Sequence, residues 1–316
     1  MAVRAGGVAG VITLDCIVAG EIYLDLTMSG FHTWPEPGTE AFATDFFREI
    51  GGGTSITACG LAKLGSRTAA FGLVGNEWGQ WVVARLKENG VDTSSIGCVP
   101  EEPTGFTVVA SMPADRAFLS YGGANRCLPA LLEEAARSNS FVGARHVHLA
   151  CAPALSGARE LLAAMHRDGC TVSIDVGWHV KWLSDPRSVA LLSDVDLFFP
   201  NEVEARLMTG EDDPAKALEY FREVGARAVA LKLGAGGAAL LWEGQIYRVG
   251  RHAVETRDTT GAGDCFDAGF LHYWFQGEPP EVCLRAGNIC GAVSTEAYGA
   301  ITPFPTVERL KQEMAG

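Results

Sequence analysis

From residue 128 to residue 232 the sequence alternates short apolar segments with amphipathic segments. The apolar segments have the length of buried strands, and the amphipathic ones place apolar residues three and four positions apart, as helices do. Strands and helices that alternate in this way form βαβ units around a parallel sheet. The pattern therefore predicts an α/β fold. The strand-like segments include ARHVHLA, TVSIDV and RAVALKLG, and the helix-like segments include LPALLEEAAR, ARELLAAMHRDGC and PAKALEYFREVGA.

Two β-like segments lie outside this alternation. GEIYLDL, residues 20–26, has the pattern of a strand, and TGFTVVASMPADRAFLSY, residues 104–121, is typical of a hairpin that turns at PAD. The stretch between Gly30 and Glu40 is rich in Pro and Gly, which predicts a loop. Because neither a linker nor a repeat divides the sequence, we predict one α/β domain over residues 1–316 that carries a small β-rich appendage.

The charge of the chain argues against two kinds of partner. Its 38 acidic and 25 basic residues give a formal net charge of −13, and the basic residues form no cluster in the sequence. Such a chain is repelled by a nucleic-acid backbone and by an anionic membrane surface. The sequence also contains no apolar run that approaches the ~20 residues needed to span a bilayer. We therefore expect neither a nucleic-acid partner nor a membrane partner.

The nine cysteines include no Cys-x-x-Cys pair and no spacing with histidine that suits zinc. We interpret them as small buried apolar residues. Their odd number, together with the lack of a signal-peptide pattern, predicts a reducing, cytoplasmic location.

Two glycine-rich segments match nucleotide-binding loops only in part. GAGGAALLWEGQIYRV contains the Gly-x-Gly-x-x-Ala of the dinucleotide fingerprint, with Glu255 about 20 residues beyond it. The residues after the glycines form two apolar runs joined at 243–244, which predicts a hairpin where the fingerprint requires a helix, so a dehydrogenase is a minor alternative. GLAKLGS, residues 60–66, has Ser66 where a Walker A loop requires lysine, so we interpret it as a helix closed by Gly65.

The segment GAGDCFDAGFLHYWF begins at Gly261 with three small residues and an acid. Phe266, Phe270 and Trp274 follow at helical spacing, so the small residues lie in the first turn of a helix. That turn exposes unpaired N–H groups at the positive end of the helix dipole, and residues without bulk let an anion approach them. Asp264 lies in the same turn, where it can accept a proton from a nearby hydroxyl. The alternative interpretation is a purely structural acidic cap.

Asn201 and Glu204 form a second polar pair, three residues apart at the start of a predicted helix. The apolar segment DLFFP precedes them and ends at Pro200, and open α/β sheets bind ligands at the carboxyl ends of their strands. The oxygen atoms of the pair suit a hydrated Mg²⁺ ion, which retains several of its waters. A helix N-cap without a metal is the alternative.

Four motifs, in this order and spacing, resemble those of the ribokinase-like, or PfkB-type, carbohydrate and nucleoside kinases. DTTGAGDCFDAGF, residues 258–270, resembles the C-terminal signature of that family, and GGGTSITACGLAKLG, residues 51–65, is similar to its N-terminal signature. PNEVE resembles its Asn-x-x-Glu motif, and KLGAGG resembles the glycines beside its nucleotide. The resemblance implies a three-layer α/β/α fold with a mostly parallel central sheet and a small β-sheet lid, formed by residues 22–50 and 103–124.

The resemblance also implies ATP-dependent phosphorylation of a hydroxyl group on a small sugar or sugar derivative, with Mg²⁺ as a cofactor. Asp264 would be the general base, and the small residues before it would form an anion hole for the transferred phosphoryl group. The lid implies a homodimer contact, and the family allows a monovalent cation such as K⁺ near Asp258 and residues 297–300. The implied site residues are Gly261, Ala262 and Gly263 for the phosphoryl group, Asp25, Gly52 and Gly53 for the acceptor, Asn201 and Glu204 for Mg²⁺ and the phosphates, and Gly234, Gly237 and Asn288 for the nucleotide.

Two places depart from the family pattern, and both affect the acceptor. Ile56 stands where the N-terminal signature usually carries asparagine, so a hydrogen bond to a sugar hydroxyl is missing and ribose is disfavoured. FLSYGGAN, residues 118–125, lacks the tyrosine and arginine pattern associated with 2-keto-3-deoxygluconate kinases. The acceptor therefore stays open between a sugar and a nucleoside, for which Trp34, Phe106 and Phe118 are stacking candidates or ordinary lid and core residues. A non-catalytic sugar-binding or regulatory relative is the third alternative.

Overall fold

The computed structural model describes residues 13–31, 33–112 and 116–315. Its elements follow the predicted alternation of strands and helices. The strands are β1 Leu14–Gly20, β2 Tyr23–Ser29, β3 Asp45–Gly51, β4 Thr68–Gly75, β5 Asp92–Val99, β6 Gly105–Ser111, β7 Arg116–Tyr121, β8 Ala144–Ala150, β9 Thr171–Asp175, β10 Leu197–Phe198, β11 Ala228–Lys232, β12 Ala238–Trp242 and β13 Gln245–Val249. The α-helices are α1 Gly53–Lys63, α2 Gly79–Glu88, α3 Leu128–Arg137, α4 Ala158–Arg167, α5 Val180–Leu183, α6 Pro186–Leu191, α7 Glu202–Thr209, α8 Pro214–Glu223, α9 Ala262–Trp274, α10 Pro280–Val293 and α11 Val307–Ala315.

The central sheet has nine strands in the order β13-β12-β11-β10-β9-β8-β1-β4-β5. The strands from β11 to β5 in this order are parallel, while β12 and β13 add an antiparallel hairpin at one edge. In the hairpin turn Glu243 and Gly244 have φ angles of 49° and 77°, as the tight turn of a two-residue hairpin requires. The predicted hairpin is therefore confirmed, and the dinucleotide fingerprint lacks its helix.

Helices cover both faces of the central sheet because its strands are apolar on both faces. In β1, Cys16 and Val18 belong to a buried cluster with α1, α9 and α10, whereas Ile17 and Ala19 belong to a second cluster with α3, α4 and α8. This alternation is the two-residue period of a strand that is buried on both sides. The predicted three-layer α/β/α fold with a mostly parallel sheet is confirmed.

A small separate sheet, called the lid sheet below, has four strands in the order β3-β2-β6-β7. Its strand β2 pairs Asp25 with Glu49 of β3 and with Thr107 of β6. The sequence predicted β2, β6 and β7, and the hairpin turn proposed at 113–115 lies outside the described residues. It did not predict β3, because DFFREIG carries three charged residues and its first four residues are largely exposed.

All nine cysteines are free thiols. Seven are buried, as predicted, whereas Cys98 and Cys127 are exposed, so the interpretation as buried apolar residues is wrong for these two. Among the described residues, none of the helices is both long enough and apolar enough to cross a membrane.

Helix α1 packs tightly against α9 at Gly60. An added Cβ atom there would lie 2.6 Å from the Cβ of Ala268 and 2.9 Å from the ring of Phe304. We expect Gly60→Ala to lower the free energy of unfolding by ~1–2 kcal/mol, because overpacking outweighs the gain in helix propensity. Denaturant unfolding measures the change, with Gly250→Ala as control, since Gly250 lies outside the helices and its added Cβ meets no atom within 4 Å. A Gly60→Ala variant as stable as the control would contradict the close packing.

Candidate active site

Three polar residues lie at the carboxyl edge of the central sheet, where open α/β sheets bind ligands. Asp175 is the last residue of β9, and Lys232 is the last residue of β11. Asn201 follows β10 and forms an isolated β-bridge with Lys232. The first turn of α9 reaches the same edge, because a Cβ atom added at Gly263 would lie 3.3 Å from the Nζ of Lys232.

Gly261 is the N-cap of α9 and has a φ angle of 72°, a conformation that favours glycine. An added Cβ would lie 2.7 Å from the Cβ of Ala300 and 2.7 Å from the Cδ1 of Ile56, so a larger residue does not fit. The Ala262 N–H already donates to the carbonyl of Thr259 at 3.3 Å. In the described part of the chain the N–H groups of Gly261 and Gly263 have no such partner, and they remain for an anion.

Asp264 belongs to a cluster of three acidic side chains, two of which contact one ammonium group. Carboxylate oxygens of Asp175, Asp264 and Asp267 lie within 4.8 Å of one another. The Nζ of Lys232 donates to Asp175 Oδ2 at 2.5 Å and to Asp267 Oδ1 at 3.2 Å. Lys232 therefore supplies positive charge inside the cluster.

Burial, together with the negative charges of Asp175 and Asp25, raises the pKa of Asp264 to about 7, while Lys232 opposes the change. Burial alone would lower the pKa of Lys232, but Asp175 and Asp267 outweigh it and raise that pKa, so the amine stays protonated. A carboxyl group with a pKa near 7 can both accept and release a proton at neutral pH, as a general base must.

Asn201 and Glu204 form a capping box at the start of α7. Asn201 Oδ1 accepts from the Glu204 N–H at 2.9 Å, and Glu204 Oε2 accepts from the Asn201 N–H at 2.8 Å. Asn201 and Glu204 therefore do cap α7, and this cap leaves Oε1 of Glu204 for another contact. Burial, with the charge of Asp175, raises the pKa of Glu204 to about 7.

A cavity of about 440 Å³ lies beside the first turn of α9. This volume is within the usual range for a small-molecule site. Asn288 shapes its wall, because its Nδ2 donates to the carbonyls of Gly250 at 3.0 Å and Val249 at 3.3 Å. The predicted residues that line this cavity together are Gly234, Gly237, Ala262, Gly263 and Asn288, and Lys232 joins them.

The glycines at the start of α1 lie against two of the predicted acids. An added Cβ at Gly53 would lie 3.0 Å from Asp264 Oδ1, and one at Gly51 would lie 2.2 Å from the carboxyl carbon of Asp25. Gly52 is the N-cap of α1 with a φ angle of 81°, and its added Cβ would meet a backbone oxygen at 2.6 Å. Gly51 and Gly53 thus give the carboxylates room, while Gly52 makes the turn. Gly51 was not predicted as a site residue.

Burial is the main cause that raises the pKa of Asp25 to about 7, and the charges of Asp258 and Glu49 add to it. Asp258 Oδ1 accepts from the N–H and the hydroxyl of Thr260 at 3.0 and 2.7 Å. The guanidinium of Arg116 lies 4.0 Å from the same oxygen. A protein cation therefore already lies near the place where the family allows a monovalent ion.

The residues that bear on acceptor choice differ in their surroundings. Ile56 is buried and fills the space beside Gly261. Phe106 packs edge-on against Trp78 at 5.5 Å between ring centroids, so it is a packing residue of the lid sheet. Trp34 and Phe118 are each 48% exposed, and their rings are accessible for stacking.

Three residues of the charged cluster were not predicted from the sequence: Asp175, Lys232 and Asp267. A signal for the first two was available, because each is a charged residue at the end of an apolar strand, TVSID or AVALK. Asp267 lies three residues after Asp264 and so on the same face of α9.

Comparisons with known proteins agree with this fold. A family profile described as "pfkB family carbohydrate kinase" matches residues 14–307. The chain is 30% identical over 311 residues to the 2-dehydro-3-deoxygluconokinase of Bacillus subtilis (strain 168), covering 94% of each protein. The structure of Arabidopsis thaliana ribokinase complexed with ribose and ATP matches with a TM-score of 0.81 at 26% identity, covering 96% of this chain and 99% of that one. A putative ribokinase II from E. coli in complex with ATP and Mg²⁺ shares the fold, with a TM-score of 0.81 at 22% identity and coverage of 96% and 99%.

Fold, site and matches together define a class of phosphotransferases, the sugar and nucleoside kinases. The chain belongs to the PfkB family of carbohydrate kinases. The family that the four sequence motifs predicted is confirmed, and so is the prediction of a carbohydrate kinase.

Proposed function

We propose that this protein transfers the γ-phosphoryl group of ATP to a hydroxyl group of a small sugar or sugar derivative. The observation that carries the proposal is the position of Asp264. It follows Gly263, which lines the 440 Å³ cavity, and its carboxylate lies against Gly53 in the first turn of α1. A base there is within reach of a nucleotide in the cavity and of an acceptor beside that turn.

In the proposed reaction Asp264 accepts the proton of the acceptor hydroxyl while the hydroxyl oxygen forms a bond to the γ-phosphorus of ATP. The bond between that phosphorus and the bridging oxygen breaks, and ADP leaves with its electron pair. The N–H groups of Gly261 and Gly263 donate to the oxygens of the transferred group, where the helix dipole favours negative charge. Phosphoryl transfer requires mainly positioning and charge neutralisation, which these groups can supply.

The residues at the start of α7 fit a hydrated Mg²⁺ ion. Glu204 is buried, and its Oε1 is not used by the capping box. Because Mg²⁺ prefers oxygen ligands and retains waters, we propose that Glu204 holds the ion through water and that Asn201 fixes the orientation of Glu204. When bound, the ion would neutralise charge on the phosphates of ATP. The E. coli neighbour contains both ATP and Mg²⁺.

A sugar is the first candidate for the acceptor, with Asp25 as the contact for its hydroxyl groups. The B. subtilis relative is named a 2-dehydro-3-deoxygluconokinase, and the Arabidopsis neighbour holds ribose. The buried Ile56 offers no polar group to a ribose hydroxyl, which favours a different sugar. A nucleoside is the second candidate, because Trp34 and Phe118 expose rings on which a base can stack.

Acceptor-stimulated formation of ADP tests the proposal. The purified protein is given ATP and Mg²⁺ with one compound at a time from a panel of ketoses, aldoses, sugar acids, sugar phosphates and nucleosides. Stimulation by a sugar supports the first candidate, and stimulation by nucleosides alone supports the second. An acceptor that binds in calorimetry and yet produces no ADP would show a non-catalytic sugar-binding relative instead.

We further propose that the chain is one domain over residues 1–316, functions in the cytoplasm and forms a homodimer through the lid sheet. The lid sheet exposes Phe46 and Leu119 on one face at 66% and 58%, apolar surface that a second copy would cover. Sedimentation equilibrium measures whether the protein is a dimer.

We also propose a monovalent cation near Asp258. It is tested by comparing the activity in K⁺ with the activity in a bulky organic cation.

The pH dependence of kcat/KM is expected to report the ionisation of Asp264. The base acts only when deprotonated, and its pKa is raised to about 7, so kcat/KM should rise about tenfold per pH unit below pH 7 and level off above it. Glu204, whose pKa is also raised to about 7, makes the acidic limb steeper if its charge is required. A kcat/KM that falls between about pH 6 and pH 8 would contradict the assignment of Asp264 as a base.

A further inference from the structure

The ammonium group of Lys232 has a donor to spare. A lysine ammonium has three N–H donors. One reaches Asp175 Oδ2 at 2.5 Å, and a second is shared between the two oxygens of Asp267 at 3.2 and 3.5 Å. Among the residues that the structure describes, these are its only hydrogen-bond acceptors. The side chain is 12% exposed, so the third N–H is held in a nearly buried position.

The free side of this ammonium borders the 440 Å³ cavity beside α9. Lys232 lines the cavity together with Gly263, and a Cβ atom added at Gly263 would lie 3.3 Å from Nζ. Gly263 is also one of the two residues whose N–H groups remain for an anion at the start of α9. An anion that accepts from the Gly263 amide therefore lies next to the Lys232 ammonium.

We propose that Lys232 is a further catalytic residue, whose third N–H donates to a non-bridging oxygen of the phosphoryl group in transfer. The proposal rests on the phosphoryl transfer proposed above. Charge spreads over the three equatorial oxygens of the transferred group in the transition state. A cation already fixed at that place stabilises the charge without reorganisation. Asp175 and Asp267 hold the ammonium on two sides and so fix its direction.

If Lys232 had only a structural role, its substitution would still lower activity, because the folded protein would lose stability. Removing the lysine leaves Asp175 and Asp267 buried without their cation, and breaking a buried ion pair in this way is strongly destabilising. A single substitution therefore does not separate the two roles. A second variant is needed that lacks the ammonium of Lys232 and also one of the acids that it contacts.

The test compares Lys232→Met, Asp267→Asn and the double variant that carries both. Methionine keeps the length of the lysine stem, and the second change replaces one of the two acidic groups that contact the ammonium. We expect the double variant to regain much of the thermal stability that Lys232→Met loses. Its kcat should nevertheless stay about 10²- to 10³-fold below that of Asp267→Asn, as when one transition-state donor is removed. A double variant that turns over within a few-fold of Asp267→Asn would overturn the proposal.

A binding measurement decides the question even if Asp267→Asn is itself inactive. Calorimetry gives the affinity for ADP alone and for ADP with aluminium fluoride, which imitates a phosphoryl group in transfer. If Lys232 contacts that group, the double variant binds ADP like Asp267→Asn and loses most of the gain that aluminium fluoride brings. A retained gain would overturn the proposal while leaving the kinase function intact. A wild-type protein that phosphorylates no acceptor and binds no nucleotide would instead refute the proposed function, and the role of Lys232 with it.

Discussion

Replacing Asp264 by asparagine is expected to lower kcat by about 10²- to 10⁴-fold, the usual contribution of a general base. Asparagine has the same shape but cannot accept the proton of the acceptor hydroxyl. Binding of ADP should change little, because the N–H groups of Gly261 and Gly263 and the cavity beside them remain. Steady-state kinetics on an acceptor from the panel and calorimetry with ADP measure the two effects separately.

The same variant should keep its fold. Because the pKa of the Asp264 carboxyl is raised from 3.8 to about 7 in the folded protein, stability is lost as the pH rises from about 4 to about 7, and the loss is complete above pH 7. Asp264→Asn removes the negative charge from beside Asp175 and should be at least as stable as the wild type at about pH 8. Glu281→Gln is the matched control, since Glu281 is an exposed acid in the first turn of α10, and its kcat should not change. Turnover near the wild-type level in Asp264→Asn would refute the proposed mechanism.

Replacing Glu204 by glutamine is expected to distinguish the role of this side chain as a helix cap from its proposed role as a contact of Mg²⁺. Glutamine serves at the third position of a capping box as glutamate does, so the bond to the Asn201 N–H is kept and the protein should unfold at nearly the wild-type temperature. The negative charge is lost, and if Glu204 holds Mg²⁺ through water, the activity should fall by about 10- to 100-fold. Titration of the activity with Mg²⁺ should show a higher half-saturating concentration.

Two comparisons make this result specific. Glu202→Gln removes a charge from the same first turn of α7, but Glu202 is exposed, so its Mg²⁺ dependence should match the wild type. Glu204→Ala removes the side-chain half of the cap as well and should lower the free energy of unfolding by ~1 kcal/mol. A Glu204→Gln variant with the Mg²⁺ dependence of the wild type would show that the pair is a helix cap only.

Local patterns in the sequence were sufficient for most of the architecture. The helical spacing of Phe266, Phe270 and Trp274 depends only on neighbouring residues, so it predicted α9 correctly. The two apolar runs around Glu243 and Gly244 predicted the hairpin for the same reason. The lid strand β3 was missed because an edge strand with exposed charged residues carries no buried periodicity.

The sequence by itself determined the family, the α/β architecture and the turn in which small residues precede Asp264, because each is written in residues that are adjacent or at fixed spacing. Only the tertiary structure decided that Gly53 lies against Asp264, that Gly51 lies against Asp25, and that Lys232 joins Asp175 and Asp267. These contacts join strand ends and helix starts that are far apart in the chain. Their distances, and the raised pKa of Asp264 that follows from them, depend on how the layers pack, which no local spacing encodes.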